Sequence, residues 1–184
     1  MKKTVLVVLA EGFEEIEAIT PIDVLRRAGL EVVVAGVGNR EIKGAHEITV
    51  ETNILLEQYQ GIPDAIVLPG GLPGAANLKK SKALEDLLQK MKKSGKMIGA
   101  ICASPALVLS PAGVLDGKKA TCYPGFETDF SPKVTFSEER VVRDGQVTTS
   151  RGPGSAMEFS LELVSQLVSP DAAKKLAQGL VAKS

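Results

Sequence analysis

Four short apolar runs constrain this fold more than anything else in the chain. They are VLVVL (Val5–Leu9), LEVVVAG (Leu30–Gly36), AIVLPGG (Ala65–Gly71) and KMIGAI (Lys96–Ile101). Each has strand length, and none alternates with polar residues, so each predicts a strand covered on both faces. Segments of helical period separate them. Glu14–Ala28 predicts a helix that turns Ile16, Ile19, Leu25 and Ala28 inward and stops at Gly29. Pro21 interrupts it, and Thr20 and Asp23 offer caps for a shorter helix. Ser81 opens a helix carrying Leu84, Leu87, Leu88 and Met91 at helical spacing, closed by Gly95. Ser104–Leu109 reads as helical, ending at Pro111. A further helix runs to Val168, and Ser169-Pro170-Asp171 caps the last one. Arg40–Glu51 is polar and alternating, a hairpin at the edge of the sheet. Ala120–Tyr123 is a short strand, and Arg140–Ser150 is a second hairpin turning at Asp144-Gly145. Strands alternating with helices specify a mainly parallel sheet with helices on both faces, an α/β three-layer sandwich for which the flavodoxin-like order is the first to test.

The 184 residues fit one domain, 1–184, large enough to hold a core without a disulfide or metal. Formal net charge is zero, which argues against nucleic acid as a partner. No apolar run approaches membrane-spanning length. The N-terminal MKKTVLVVLAEGFEE starts like a secretion signal, but acidic residues follow too soon and no small-residue cleavage site appears. Two cysteines without such a signal place the chain in the cytoplasm, where thiols stay reduced.

In open α/β sheets the chemistry sits at the carboxyl ends of the strands. After the first run comes Glu11-Gly12-Phe13-Glu14-Glu15-Ile16-Glu17. After the third come Gly70 and Gly71, and after the fourth comes Cys102. A thiol between a strand and a helix is lifted off the sheet, and the first-turn amides favour its thiolate. Cysteine is also a common core residue, so position alone leaves both readings of Cys102 open. The glycines either donate amides to an oxyanion or form a tight turn; Gly-Gly-Leu-Pro-Gly lacks the dinucleotide spacing. Glu14 and Glu17 share a helix face, and spacing admits either as a carboxyl drawn to the thiol. Burial and like charge would hold such a carboxyl protonated and ready for acid–base work. His46, the only histidine, has no orienting acid apart from Glu47 and reads as a surface residue. Cys122 reads as core. Two distant cysteines and one histidine give no metal-ligand spacing.

The segments AEGFEEIEAITPIDVLRRAG, VLPGGLPGAANL, GAICASPALVL and TSRGPGSAMEF together resemble the ThiJ/PfpI superfamily. The resemblance is closest to the branch of the parkinsonism-associated protein deglycase and its bacterial YajL-type relatives, and covers nearly the whole chain. It implies a flavodoxin-like sandwich, a homodimer, and no cofactor. It makes Cys102 the reactive cysteine, Glu17 the protonated glutamate, and the amides of Gly71 and Ala103 the oxyanion donors. It puts Gly70, Tyr123, Arg27, Arg151 and Pro153 at the substrate pocket, with Tyr123 as a hydrogen-bonding wall and with Arg27 and the Arg151-Gly152-Pro153 turn in segments near the site or the dimer interface. Some relatives carry histidine where this chain has Tyr123, and the protease-like members carry it where this chain has Ala103. Both differences count against a peptidase. The resemblance implies an enzyme acting on reactive dicarbonyls, a glyoxalase converting methylglyoxal to lactate or a deglycase acting on glycated amines. A redox-sensing stress protein or chaperone that oxidises Cys102 is the alternative.

Overall fold

All four apolar runs become parallel strands of one sheet in the computed structural model, which describes residues 2–182. The chain runs through β1 (Thr4–Leu9), α1 (Glu15–Arg27) and β2 (Glu31–Gly36). Next come three short strands, β3 (Glu41–Lys43), β4 (Thr49–Glu51) and β5 (Ile54–Leu55). Then follow β6 (Ala65–Leu68), α2 (Gly74–Lys80), α3 (Lys82–Lys93) and β7 (Met97–Ile101). The second half holds β8 (Lys119–Ala120), β9 (Thr135–Phe136), the hairpin β10 (Val141–Asp144) and β11 (Val147–Ser150), then α4 (Ala156–Leu167) and α5 (Pro170–Gly179). The main sheet has the order β10-β11-β7-β6-β1-β2-β5, and only β10 is antiparallel. Strands β2-β1-β6-β7-β11 reproduce the flavodoxin-like order, which reverses direction beside β1.

Alternation along β1 divides the core into two layers. Val5, Val7 and Leu9 face the cluster that includes Ala18, Ile22 and Leu25 of α1 with Phe159, Leu163 and Val164 of α4. Leu6 and Val8 face the other, with Leu84, Leu88 and Met91 of α3, Val108 and Leu109. Fully burying a side chain of this size contributes roughly 1.5–3 kcal/mol, so both strand faces hold the sheet. Among the described residues no helix is long and apolar enough to cross a membrane.

Six details differ from the sequence-based expectations. Helix α1 does not turn Ile16 and Ile19 inward; they are 54% and 43% exposed. The stripe Ala18–Ile22–Leu25 is the buried one, and at about 100° per residue Ile19 lies a quarter turn and Ile16 nearly half a turn away from it. Pro21 does not shorten α1; only the Glu17 carbonyl loses an intrahelical donor. Strands β3 and β4 pair with each other apart from the main sheet, whose edge is β5. The two-residue loop of the β10–β11 hairpin is Gly145-Gln146, because Asp144 is still paired with Val147. The strand expected over Ala120–Tyr123 is limited to Lys119–Ala120, and residues 121–123 leave it toward Cys102. Helix α2 escaped the sequence reading because its start, Leu72-Pro73-Gly74, looks like turn chemistry.

Candidate active site

The loops leaving β1, β6 and β7 meet beside the point where the strand order reverses. Glu14 caps α1: its Oε2 accepts the Glu17 amide at 2.8 Å. That commits Glu14 to the helix and sends Glu17, one turn further, into the site with no exposed surface. Glu17 Oε2 accepts the Gly70 amide at 2.8 Å, while Glu17 Oε1 is buried without a hydrogen-bond partner. Burial is the main reason the Glu17 carboxyl is raised from 4.5 to about 7, opposed by hydrogen bonds from Cys102 and Gly70.

Cys102 follows β7 directly and is 8% exposed. Its backbone adopts φ +64°, a left-handed conformation that costs a non-glycine residue on the order of 1 kcal/mol or more. Two contacts hold it there. The Cys102 amide donates to Ser150 O at 2.9 Å, and Cys102 O accepts the Tyr123 amide at 2.9 Å. Ser104 Oγ donates to Pro69 O at 2.5 Å and fastens the segment after the cysteine to the loop after β6.

Burial, followed by the charge and hydrogen bond of Glu17, pushes the Cys102 thiol up, and the amides of Gly71 and Ala103 pull it down. The expected lowering of this thiol is therefore outweighed, chiefly by burial. The segment after Cys102 is a π-helical turn of five residues, Pro105–Leu109, too short to supply a strong helix dipole. Sulfur and carboxyl form a coupled pair: losing one proton leaves a single negative charge and one proton between them. Protonated Glu17 beside a thiolate is the nucleophilic form.

The glycines are fitted to this pair. A Cβ on Gly70 would lie 2.6 Å from Cys102 Cβ and 2.8 Å from Glu17 Oε2. Gly71 has φ +86°, and a Cβ there would lie 2.5 Å from the Glu14 amide nitrogen. Their bare backbones let the β6 loop touch both other loops and turn amides toward the sulfur. Ala103 is buried beside Gly70, its amide nitrogen 3.0 Å from the same Cβ position.

Of the remaining candidates, Tyr123 comes to the site and Arg27 does not. Tyr123 is 44% exposed and packs on Gly152. Arg27 lies ten residues beyond Glu17, roughly 15 Å along α1, where it is exposed and paired with Asp23 at 2.7 Å. Arg151 donates to Glu138 O at 3.2 Å, and Pro153 opens a short turn; both flank the buried Gly152, where a Cβ would lie 3.9 Å from Glu17 Oε1. In the sequence Gly152 is one residue of the TSRGPGSAMEF segment, with nothing to single it out. Only the three-dimensional approach to Glu17 reveals it.

His46 has a different orienter from the Glu47 expected. Its Nδ1 lies 2.8 Å from Glu15 Oε2, and its amide donates to Glu15 Oε1 at 2.6 Å. Donor atoms of Glu14, Glu15 and His46 lie within 4.8 Å of one another, a grouping that could hold a metal ion and that linear spacing did not reveal. Cys122 is fully buried, and burial pushes its thiol up to about 12, as befits a core cysteine. A groove of about 990 Å³ lies between β10, α4 and α5, lined by residues such as Val141, Leu161 and Ala177. It contains neither Cys102 nor Glu17.

The same fold recurs in known proteins. The DJ-1/PfpI family model matches residues 3–166. The chain is 44% identical to DJ-1 homolog B of Arabidopsis thaliana over 97% of its own residues, but spans only 41% of that protein's length. The glutathione-independent glyoxalase DJR-1.2 of Caenorhabditis elegans is 34% identical over 97% of this chain and 96% of its own. The structure of oxidized Toxoplasma gondii DJ-1 superimposes with a TM-score of 0.93 at 41% identity, covering 99% of this chain and 100% of that one. A flavodoxin-like sandwich, a cysteine–glutamate pair at its switch point and matches of this extent lead to one conclusion: this chain belongs to the DJ-1/PfpI family.

Proposed function

We propose that the protein is a cofactor-independent glyoxalase that converts a 2-oxoaldehyde such as methylglyoxal to the 2-hydroxy acid. The observation that carries this reading is the direct coupling of Cys102 to a carboxyl raised to about 7, with the Gly71 and Ala103 amides acting on the same sulfur. Cys102 sulfur attacks the aldehyde carbon, and the new alkoxide is held by those two amides. Glu17, protonated at the start, gives its proton to that alkoxide; as the carboxylate it then takes the hydrogen of the same carbon as a proton and returns it to the neighbouring carbon, while the hydroxyl proton passes to the neighbouring oxygen, whose carbonyl becomes a hydroxyl. The first carbon is oxidised, the second reduced, and no external electron carrier is used. The resulting thioester is cleaved by water, giving lactate and free Cys102. Glycated amines fit the same chemistry, since a hemithioacetal also forms as free dicarbonyl is drawn from them. The glyoxalase name of the worm relative supports this reading.

Methylglyoxal turnover with lactate measured directly is the test. Cys102→Ser abolishes lactate formation, and Glu17→Gln lowers it by about 10²–10⁴-fold, the usual contribution of general acid–base catalysis. Full lactate production by Cys102→Ser would overturn the mechanism. The protein acts in the cytoplasm as a homodimer; the exposed Ile16 and Ile19 of α1 and Ile48 of the β3–β4 hairpin supply apolar surface for the partner.

A second reading, a redox sensor, is supported by the likeness to a DJ-1 solved in oxidized form. In it a peroxide oxidises Cys102 to sulfinate, accepting hydrogen bonds from Glu17 and the amides. Under mild peroxide, intact mass and peptide mapping then place two added oxygens on Cys102 before any methionine. Methionine oxidation first would exclude it. A peptidase has no support: the one histidine is held by Glu15.

A further inference from the structure

Tyr123 stands over the part of the site that the mechanism leaves open. Its amide is tied to Cys102 O at 2.9 Å, so its backbone is fixed relative to the nucleophile. Its ring lies against Gly152. A Cβ placed on Gly152 would be 3.0 Å from Tyr123 Cδ2, 3.4 Å from Cε2 and 3.9 Å from Glu17 Oε1. The ring edge and Oε1 are therefore no more than about 7 Å apart, and a heavy atom needs about 3.5–4.0 Å from each neighbour, so at most one layer of atoms fits between them. The floor of this slot is held in place: the Gly152 amide donates to Ser155 Oγ at 3.1 Å, and Ser155 Oγ donates back to Gly152 O at 2.9 Å. Oε1 itself is buried and without a hydrogen-bond partner, so it has bonding capacity left for a molecule that reaches it.

We infer that Tyr123 is the specificity-determining residue of this site, restricting its substrates to 2-oxoaldehydes whose substituent is flat or unbranched. A methyl group occupies a single layer. A tert-butyl group needs more depth and meets the ring. The inference rests on the glyoxalase reading for the word substrate, but the shape of the slot is a property of the thiol's surroundings and is measurable without turnover. The ring acts by its bulk, not its hydroxyl, so phenylalanine replaces it and alanine does not.

The test uses bromoacetone and bromopinacolone, which differ only in methyl against tert-butyl. Each alkylates Cys102 as its sulfur forms a bond to the CH₂ carbon and bromide leaves. Rates are followed by intact mass, with peptide mapping to Cys102, on wild type, Tyr123→Ala and Tyr123→Phe. Wild type and Tyr123→Phe share one preference for bromoacetone, and Tyr123→Ala reduces that preference at least tenfold, within the 10–200-fold that pocket size commonly commands. An unchanged preference in Tyr123→Ala, or the same loss in Tyr123→Phe, overturns the assignment. A parallel turnover assay with methylglyoxal and tert-butylglyoxal separates the two claims. If no protein makes hydroxy acid while the alkylation pattern holds, the glyoxalase reading fails and the role of Tyr123 stands.

Discussion

Replacing Glu17 by glutamine should make the protein more stable at neutral and alkaline pH while disabling it. Glu17 has no exposed surface, and its carboxyl is raised from 4.5 to about 7, chiefly by burial. In the unfolded chain this proton leaves near 4.5; in the folded protein it stays until about 7. Between those values the unfolded state binds fewer protons, so stability falls as pH rises and stays lower above 7. At about 1.4 kcal/mol per unit, the full loss is about 3 kcal/mol. Glutamine has the same shape, its amide oxygen can accept the Gly70 amide, and it never ionises. The comparison is the difference in unfolding free energy between the two proteins, from guanidinium titrations at steps between about pH 4.5 and about pH 8. A pH-independent offset cancels, and so do the titrating groups that are not coupled to Glu17; the Cys102 thiol is the partner whose own titration the substitution also changes. The difference should grow by about 3 kcal/mol in favour of Glu17→Gln, equivalent to a gain of on the order of 10 °C in Tm at the alkaline end. Parallel stability curves would show that Glu17 titrates alike in both states, and the reasoning about the buried carboxyl would be wrong.

Other substitutions probe the surroundings of the pair. Gly70→Ala places a methyl 2.6 Å from Cys102 Cβ and should cost about 1–3 kcal/mol and most activity, read by denaturation and lactate assay; wild-type turnover would show that the loops yield freely. Ser104→Ala removes the hydrogen bond to Pro69 O and should destabilise by about 1–3 kcal/mol, measured by urea unfolding. His46 is raised by its hydrogen bond to Glu15, so the pair's support for the hairpin tip is present below about 6.5 and lost as pH rises through the higher folded value. Hydrogen exchange at residues 44–48, corrected for intrinsic rate, should become less protected across that window, and a flat profile would remove the pair from the account. Ile19→Lys puts charge into the apolar surface of α1 and should shift the protein toward monomer in light scattering; an unchanged mass would move the interface elsewhere.

The sheet was legible because its strands are apolar throughout, and a strand buried on both faces leaves little choice of register or environment. Helix α3 was equally plain, since Leu84, Leu87, Leu88 and Met91 repeat at helical spacing on a polar background. Helix α1 was located but its rotation was not. Its buried face includes Glu17, and a charged residue on the core side disguises the stripe that Ala18, Ile22 and Leu25 define. The choice of Glu17 over Glu14 came from resemblance, and the structure supplies the physical reason in the N-cap made by Glu14. The elbow at Cys102 followed from its place between strand and helix. The direction of its thiol did not, because the desolvation of a site and the charge of its neighbour depend on how closely three loops pack. Gly152 and the Glu15–His46 pair were invisible for the same reason: each is defined by an approach between segments distant in sequence.

The two backbone bonds at Cys102 reach Ser150 and Tyr123, both far along the chain. The nucleophile's geometry is therefore written in residues translated well after it. A chain arrested or cut before Tyr123 carries the whole ICASPALVL segment and neither bond: the cysteine is then an ordinary thiol, open to ordinary chemistry. Reactivity in this protein is a late product of folding. For the same reason it should not travel with the segment if Ile98–Leu109 is grafted onto another sheet, unless the receiving scaffold offers an acceptor and a donor in those two places.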